Sequence, residues 1–348
     1  MSDWDLLIDR KDLRRTQLHE FEAPPLAPGE ARLAVERFSM TANNITYGLI
    51  GDAFGYWKFF PAPEPFGRIP VWGFATVTAS AAQDVPVGLR LFGYLPMSSA
   101  FTARLVKGRD GYVDASPHRA ELPPTYNAYA EAPADALDDH RALLRPLFMT
   151  SFLLDDFLAE DTGLKTLVLS SASSKTAMGL AWLARRRGVK VVGLTSPGNR
   201  DRLEGFGLYD ALVPYAEAAS LSVETPAAYV DFAGDRTVTA AAHAALGEGL
   251  TRSLIVGGTH WEARGGETAL AGVQPVLFFA PDQIRKRAKD WGMAELDRRF
   301  IEALRAFVAA NPWLKLVQHA GPEGLKTAYE TVLEGRATPD EGHIIRLA

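Results

Sequence analysis

The chain contains no cysteine. That absence excludes disulfides, thiolate metal sites, iron–sulfur clusters and a cysteine nucleophile. It also lacks any run of about 20 apolar residues, the length a membrane-spanning helix requires. The opening MSDWDLLIDRKDLRR carries no apolar signal-like core, so the cytoplasm is the expected compartment. There is no basic block, and the formal net charge is −5. This balance argues against nucleic acid or an anionic membrane as partner and leaves a small molecule as the expected one. The seven histidines show no metal-ligand spacing. The remaining composition, 47% hydrophobic and 23% charged over 348 residues, suits a globular enzyme with two well-buried cores.

Glycine is also missing where it would be expected. Residues 166–196 read as strand, tight turn, helix and strand. Thr166 to Leu169 is a short apolar run, Lys175 to Arg187 has helical spacing, Gly188 stops the helix, and Val189 to Leu194 is a second buried strand. A βαβ unit of this kind aims free backbone N–H groups and a helix dipole at an anion such as a pyrophosphate. The turn itself reads Ser171-Ala172-Ser173-Ser174-Lys175-Thr176, with small residues replacing the glycines of a dinucleotide fingerprint. Ser171, Ser173, Ser174 and Thr176 offer hydroxyls to phosphate and Lys175 offers charge. The same small residues also suit an ordinary βαβ unit that only needs close packing.

The flanking pattern supports two domains. Residues 1 to about 130 carry short β-like runs at Ala31–Arg37, Pro70–Ser80, Leu89–Leu95 and Phe101–Val106, separated by turns such as APPLAPGE and PEPFG. Glu131 to His140 reads as a linker, and helical spacing begins at Asp139. Strands are then expected at Ala211–Val213, Ala228–Phe232, Ser253–Gly257 and Val276–Phe279, alternating with amphipathic segments. Glu295 to Ala309 is a helix with Leu296, Phe300, Leu304 and Phe307 on one face. The tail from Leu314 reads as strand, helix, strand.

The order of these segments resembles the medium-chain dehydrogenase/reductase superfamily, in particular its zinc-independent quinone oxidoreductase and enoyl reductase-like members. PGEARLAVERFSMTANNITYGLIG is similar to that family's early strand and "N-x-x-D" segment. SSASSKTAMGLAWLA runs without gaps along "G-A-x-G-G-V-G-x-A-A-x-Q-x-A". GLYDALVPY resembles "G-A-D-x-V-I-x-Y", YVDFAGDRTV resembles "D-x-V-G", and SLIVGGTHWE resembles the strand that reaches the nicotinamide. The resemblance implies an α/β chain: a GroES-like, partly open β-barrel over 1–138, completed by 312–348, and a Rossmann doubly wound parallel sheet over 139–311.

Further implications follow residue by residue. The first zinc-ligand position of metal-dependent members falls at Asn44, and the His–Glu pair falls at Val71–Trp72, so no zinc is expected. The second strand ends without an acidic residue to hold ribose hydroxyls. Thr195, Ser196, Asn199 and Arg200 are present instead, which favours NADP(H). Arg200 also reads as a solvated residue beside Asp201. A tyrosine after the "N-x-x-D" segment donates a proton in enoyl reductases; Tyr56 lies near that position and Tyr47 within the segment. Lys58 lies close to Tyr56 in sequence. Thr46 resembles the hydroxyl that contacts substrate in alcohol dehydrogenases, or is a helix cap. Asn44, Thr46, Tyr47 and Tyr56 are thus the candidate catalytic set. Trp57, Tyr126, Asn127 and His260 are the candidate substrate pocket, with Tyr129 on the same proline-rich segment. Tyr56, Trp57, Phe59 and Phe60 also read as an aromatic pocket wall or core loop. Gly257 and Gly258 would let the backbone approach the nicotinamide. The basic run Arg285–Lys289 reads as a solvated helix face. AGVQPVLFFAP is an edge-strand candidate, and a homodimer with Val276 to Phe279 at or near the seam is expected. The expected function is a zinc-independent NADPH-dependent oxidoreductase acting on a quinone, enone or related electrophile. The alternatives are a non-catalytic dinucleotide-binding or regulatory protein, and a lyase or isomerase using a tightly bound cofactor.

Overall fold

A computed structural model describes residues 2–256, 270 and 272–347. The chain divides into two compact units, Met1–Pro146 with Leu314–Ala348, and Leu147–Trp313.

The first unit begins with a hairpin, β1 (Asp3–Asp9) and β2 (Thr16–Phe21). The sequence reading did not anticipate it. The reason is physical: β2 has no buried position, so it carries no apolar alternation, and β1 buries a charge. Asp5 of β1 is held by Ser98 and Arg68, which meets the requirement that a buried carboxylate be paired. Next come β3 (Ala31–Met40), helix α1 (Ala42–Leu49), β4 (Phe66–Gly67), β5 (Pro70–Ser80) and β6 (Arg90–Pro96). The strands β7 (Ala100–Ala103), β8 (Leu105–Lys107), β9 (Tyr112–Asp114) and β10 (Ala128–Glu131) follow. The expected strand Phe101–Val106 is therefore two strands, broken at Arg104, whose backbone N–H turns to the Asp114 carboxylate. Gly93 of β6 lies under the Tyr129 ring, where a Cβ would come within 2.3 Å, so only glycine lets that ring close over the strand.

Helix α2 (Asp138–Leu158) starts as the Ala/Pro/Asp-rich segment ends, and Pro146 sits inside it. The boundary between the units falls at this proline, which removes one helical hydrogen bond.

The second unit alternates strand and helix as expected. It runs β11 (Thr166–Leu169), α3 (Lys175–Arg186), β12 (Lys190–Thr195), α4 (Pro197–Phe206), β13 (Ala211–Pro214), β14 (Ala227–Asp231), α5 (Arg236–Leu246), β15 (Leu250–Val256), β16 (Val276–Phe278), α6 (Ala280–Trp291) and α7 (Met293–Ala310). Among the described residues, six parallel strands pair in the order β13-β12-β11-β14-β15-β16. The order reverses between β11 and β14, and a crevice forms at such a switch point. All four residues of β11 are buried, which is why it reads as a continuous apolar run. Gly179 of α3 lies against Phe148 and Ser151 of α2, and the Ser151 hydroxyl donates to the Thr176 carbonyl at 2.7 Å.

The tail returns to the first unit as β17 (Lys315–Ala320), α8 (Gly321–Leu333) and β18 (Glu341–Arg346). β18 pairs antiparallel with β3 and parallel with β17. Among the described residues this completes a nine-stranded mixed sheet. The fold class inferred from sequence, a partly open β-barrel domain with a doubly wound parallel sheet, is the one observed.

Asp139 fastens the tail. Its carboxylate accepts from Arg37 of β3 at 2.8 Å, from Arg346 of β18 at 2.6 Å and from Gln318 of β17 at 3.1 Å. Burial pushes its pKa up, but the two guanidinium groups outweigh burial and hold it below the ordinary value. A carboxylate lowered on folding contributes stability above the unfolded value and loses it as pH falls through the folded one. Arg346→Met is therefore expected to lower Tm by about 1–3 °C at pH 7, in keeping with a partly exposed pair. It should also narrow the gap in Tm between pH 7 and about pH 3. Calorimetry at the two pH values measures both; an unchanged gap would remove Asp139 from the acid response.

Candidate functional site

In the second unit, the turn between β11 and α3 is shaped by hydroxyls. The Ser170 hydroxyl donates to the Asp231 carboxylate at 2.6 Å, and both residues are buried at the carboxyl ends of β11 and β14. The same hydroxyl accepts the backbone N–H of Phe232 at 2.8 Å and of Ala233 at 3.1 Å. Asp231 accepts from Ala233 and Gly234. These amides are thereby committed within the protein. Ser171 then turns with φ +47°, the left-handed region in which a glycine would be unstrained. Ser174 caps α3 by accepting the Ala177 N–H at 3.2 Å.

Two tyrosines that the sequence reading did not assign to the turn support it from β13 and its flanks. The Tyr209 hydroxyl donates to the Ala172 carbonyl at 2.7 Å. Burial pushes the Tyr215 phenol up, and its hydrogen bonds with Ser171 oppose that rise. Gly193 packs against the Ala172 methyl, where a Cβ would approach within 2.7 Å. Ser173, Lys175 and Thr176 remain partly exposed at the start of α3. A turn at the sheet's switch point, opening a 12-residue helix with a lysine in its first turn, fits a pyrophosphate.

The end of β12 is divided. Thr195 is a core group, 1% exposed, and its hydroxyl has no hydrogen-bond partner among the described residues. Ser196 precedes α4 without a side-chain cap bond, and Asn199 is partly exposed. Arg200 pairs with Glu204 one turn on at 2.9 Å rather than with Asp201, both side chains being largely exposed. Such an i,i+4 surface pair is worth about 0.3–0.5 kcal/mol and yields easily to a phosphate. Three residues of the basic run on α6 are paired: Arg285 with Asp282, Lys286 with Glu160, and Arg287 with Asp156, Glu160 and Asp290. Gly257, Gly258, His260 and Trp261 lie outside the described residues.

In the first unit, tyrosines gather. Helix α1 begins at Thr41, whose N–H and hydroxyl both donate to the Asn44 amide oxygen at 2.8 and 2.9 Å. The Asn44 amide nitrogen donates to the Pro70 carbonyl at 3.0 Å. At 2% exposure Asn44 is thus a buried cap, with both ends of its amide committed. Thr46 is not the cap; its hydroxyl bonds back to the Ala42 carbonyl. Tyr47 lies one turn beyond Asn43 and accepts from its amide nitrogen at 2.7 Å, and from the Trp72 ring N–H at 3.5 Å. The Tyr47 ring lies 4.5 Å from Tyr56 and 5.7 Å from Tyr94. Tyr126 completes the group, 4.8 Å from Tyr94, with its hydroxyl 3.5 Å from that of Tyr56.

Burial first, and Tyr56 second, push Tyr47 up to about 12, while Trp72, Asn43 and Tyr94 pull it down. Burial also raises Tyr56, Tyr94 and Tyr126. Lys58 is exposed. Trp57 is a core side chain lying over Gly51 and Gly67, and Asn127 is buried with its amide nitrogen donating to the Arg119 carbonyl. Tyr129 is buried in β10 and donates to the Tyr94 carbonyl at 2.7 Å. Of the sequence candidates, then, the first unit brings together Tyr47, Tyr56 and Tyr126, and sets Trp57, Asn127 and Tyr129 behind them.

Three participants escaped the sequence reading. Tyr94 is wholly buried in β6, where the apolar run in RLFGYLP was the available signal. Asn43 was hidden beside the Asn44 assignment. Arg119, 1% exposed, pairs with Asp114 at 3.1 Å and lies over the Phe60 and Phe59 rings. Nothing in SPHRAE distinguishes it. Its charge opposes the rise that burial imposes on Tyr94. Among the described residues, no group of three His, Asp or Glu side chains is arranged to hold a metal, and no helix is long and apolar enough to cross a membrane.

Solved structures similar along the whole chain include CurA from Vibrio vulnificus in complex with NADPH, with a TM-score of 0.66, 13% identity and 99% of each chain covered. The quinone oxidoreductase from Coxiella burnetii matches with a TM-score of 0.58, 14% identity and 100% of each chain. A mutant form of enoyl thioester reductase from Candida tropicalis matches with a TM-score of 0.58 and 11% identity, covering 99% of this chain and 100% of that one. At these identities the likeness is one of fold. No curated protein matches the sequence. The chain belongs to the family described as "Protein of unknown function (DUF2855)", whose model matches residues 38–338.

The strained turn makes a testable demand. Ser171→Val should destabilise the protein by about 1–2 kcal/mol, because a β-branched residue tolerates positive φ poorly. Ser171→Gly should be nearly neutral, relief of strain offsetting unfolded-state entropy and the lost serine bond. Denaturant unfolding of the two variants compares them directly; equal losses would mean that the backbone here is unstrained.

Proposed function

We propose that the protein is an NADPH-dependent oxidoreductase that passes a hydride to an uncharged electrophile, a quinone or an enone, without zinc. The observation that carries this reading is the β11–α3 turn at the sheet's switch point, with Ser173, Lys175 and Thr176 partly exposed at the helix start. The cofactor would supply the hydride. Ser173, Thr176 and Lys175 would hold its pyrophosphate, and Ser196, Asn199 and Arg200 its 2′-phosphate. The NADPH bound by CurA and the quinone and enoyl thioester reductase names of the similar structures support the same assignment. The tyrosine group of the first unit supports the choice of an uncharged acceptor, since its faces are aromatic and its polar groups are phenols and amides. Cytoplasmic residence accords with this chemistry. The committed amides of Phe232, Ala233 and Gly234 and the glycine-free turn favour a second reading, a dinucleotide-binding protein without turnover.

Fluorescence titration with NADPH and NADH decides the cofactor. NADPH should bind more tightly, and Arg200→Ala should weaken NADPH alone by about 1–3 kcal/mol. Equal affinities would end the 2′-phosphate assignment. NADPH oxidation with a panel of quinones and enones separates the enzyme from the binding protein, which would bind the cofactor yet turn over none of them.

We also propose a homodimer through β16. Val276, Leu277 and Phe279 are 62%, 48% and 48% exposed on or beside the strand that ends the sheet among the described residues, an edge that invites pairing. Light scattering should give twice the chain mass, and Leu277→Lys should shift it toward monomer. A wild-type monomer at micromolar concentration would refute the dimer.

A further inference from the structure

We propose that His319 and His343 form a two-nitrogen site for a divalent copper or nickel ion on β17 and β18. The site is independent of the oxidoreductase reading, since neither histidine belongs to the candidate catalytic, cofactor or pocket residues. The two lie 24 residues apart, so no local spacing joins them. The parallel register does. It sets Val317 beside His343 and His319 beside Ile345, which makes the two histidines diagonal neighbours on one face of the strand pair. Their ring centres lie 5.2 Å apart, and His319 Nε2 stands 2.9 Å from His343 Nδ1.

That separation selects the metal. Two metal–nitrogen bonds of about 2.0 Å span about 2.8 Å when they meet at a right angle, and about 3.3 Å at the tetrahedral angle. The observed 2.9 Å matches the right angle. Neighbouring positions of a tetragonal nitrogen and oxygen field are those that copper(II) and nickel(II) prefer, and copper(II) binds the more tightly of the two. His343 is buried, whereas His319 is partly exposed, so water can fill the remaining positions from the His319 side. With water as co-ligand, two rings suffice without a third side chain.

The charge around the pair suits a cation. Burial holds the His319 imidazole below its ordinary value, which keeps the ring neutral at pH 7, the state a metal ligand requires. Glu341 lies on the same face of β18 as His343. Its carboxylate is held below the ordinary value by the Thr338 N–H first and by His343 among the lesser causes, so negative charge stays beside the pair. Lys315 stands across from Glu341 in the register, but its ammonium is paired with Asp340 at 3.1 Å. In the metal-free protein one ring donates its N–H to the other. Binding breaks that hydrogen bond: the proton passes through water to the far nitrogen of the same ring, and both facing lone pairs go to the ion. Both rings stay neutral, and no proton is lost on balance. Among the described residues β17 ends the sheet and pairs with β18 alone, so the ion clamps this strand to its neighbour.

The test titrates the full-length, chelator-treated protein with copper(II) sulfate, followed by calorimetry and electron paramagnetic resonance. One ion per chain should bind at the tight site, with two nitrogens in the hyperfine pattern. Because His343 is buried, the partly exposed His319 carries the test. His319→Gln keeps a hydrogen-bonding side chain toward His343 but cannot chelate, and affinity should fall about 100-fold, the worth of a second ligand already held in place. His19→Gln, at an exposed histidine of β2, should bind as the wild type does. Affinity should also drop steeply below about pH 6, where both rings take up protons. Saturating nickel(II) should raise the Tm of the wild type by about 2–4 °C and leave that of His319→Gln in place. If His319→Gln binds copper(II) as tightly as the wild type, or if His19→Gln is the variant that loses it, the ion sits elsewhere and the site is overturned. A spectrum with a single nitrogen overturns the paired ligation whatever the affinity.

Discussion

The bond between the Ser170 hydroxyl and the Asp231 carboxylate is the constraint on which the second unit turns. It joins the carboxyl ends of β11 and β14, the two strands flanking the reversal of sheet order, and it does so away from water. A buried carboxylate has to be satisfied fully, and Asp231 draws in the amides of Ala233 and Gly234 while Ser170 takes those of Phe232 and Ala233. The loop after β14 is thereby pulled over the strand ends. The chain leaving β11 has one route left, through a left-handed Ser171. Tyr209 and Tyr215 then support that turn from the other side. Hydroxyl groups and two phenols thus stabilise a shape that glycines otherwise allow by default.

The first unit uses a comparable economy. Its tyrosines stand on a floor of Phe59, Phe60 and Tyr94, beneath which the Arg119–Asp114 pair is sealed. A buried ion pair adds little net stability compared with apolar packing, yet removing one partner is costly. Its value here is in direction. The guanidinium is fixed between the Phe59 carbonyl, two rings and a carboxylate, and so sets where the floor lies.

Much of the architecture was legible because it follows from periodicity. β11 and β12 read as apolar runs since parallel strands are buried on both faces, and α7 declared itself by Leu296, Phe300, Leu304 and Phe307. The hairpin of β1 and β2 was not legible, because β2 is exposed along most of its length and β1 hides a carboxylate. At the site, Tyr47, Tyr56 and Tyr126 stood out by residue type. Their distinct circumstances did not: they depend on Asn43, Trp72 and Tyr94, which reach Tyr47 across helix and sheet. Arg200 was visible as a charge, but its partner Glu204 was decided by helical geometry.

The capping of α1 constrains what this scaffold can become. Asn44 is the N3 residue of α1 and a buried part of its cap. Here its amide ties Thr41 to the helix start and Pro70 to the helix flank through three hydrogen bonds. A thiol placed there would have to give up all three, in a pocket closed to solvent, before it could gain a metal. Each such loss costs about 0.5–1.5 kcal/mol and arrives ahead of any benefit. Any substitution at Asn44 therefore meets an uphill first step, and the helix cap holds that position to an amide.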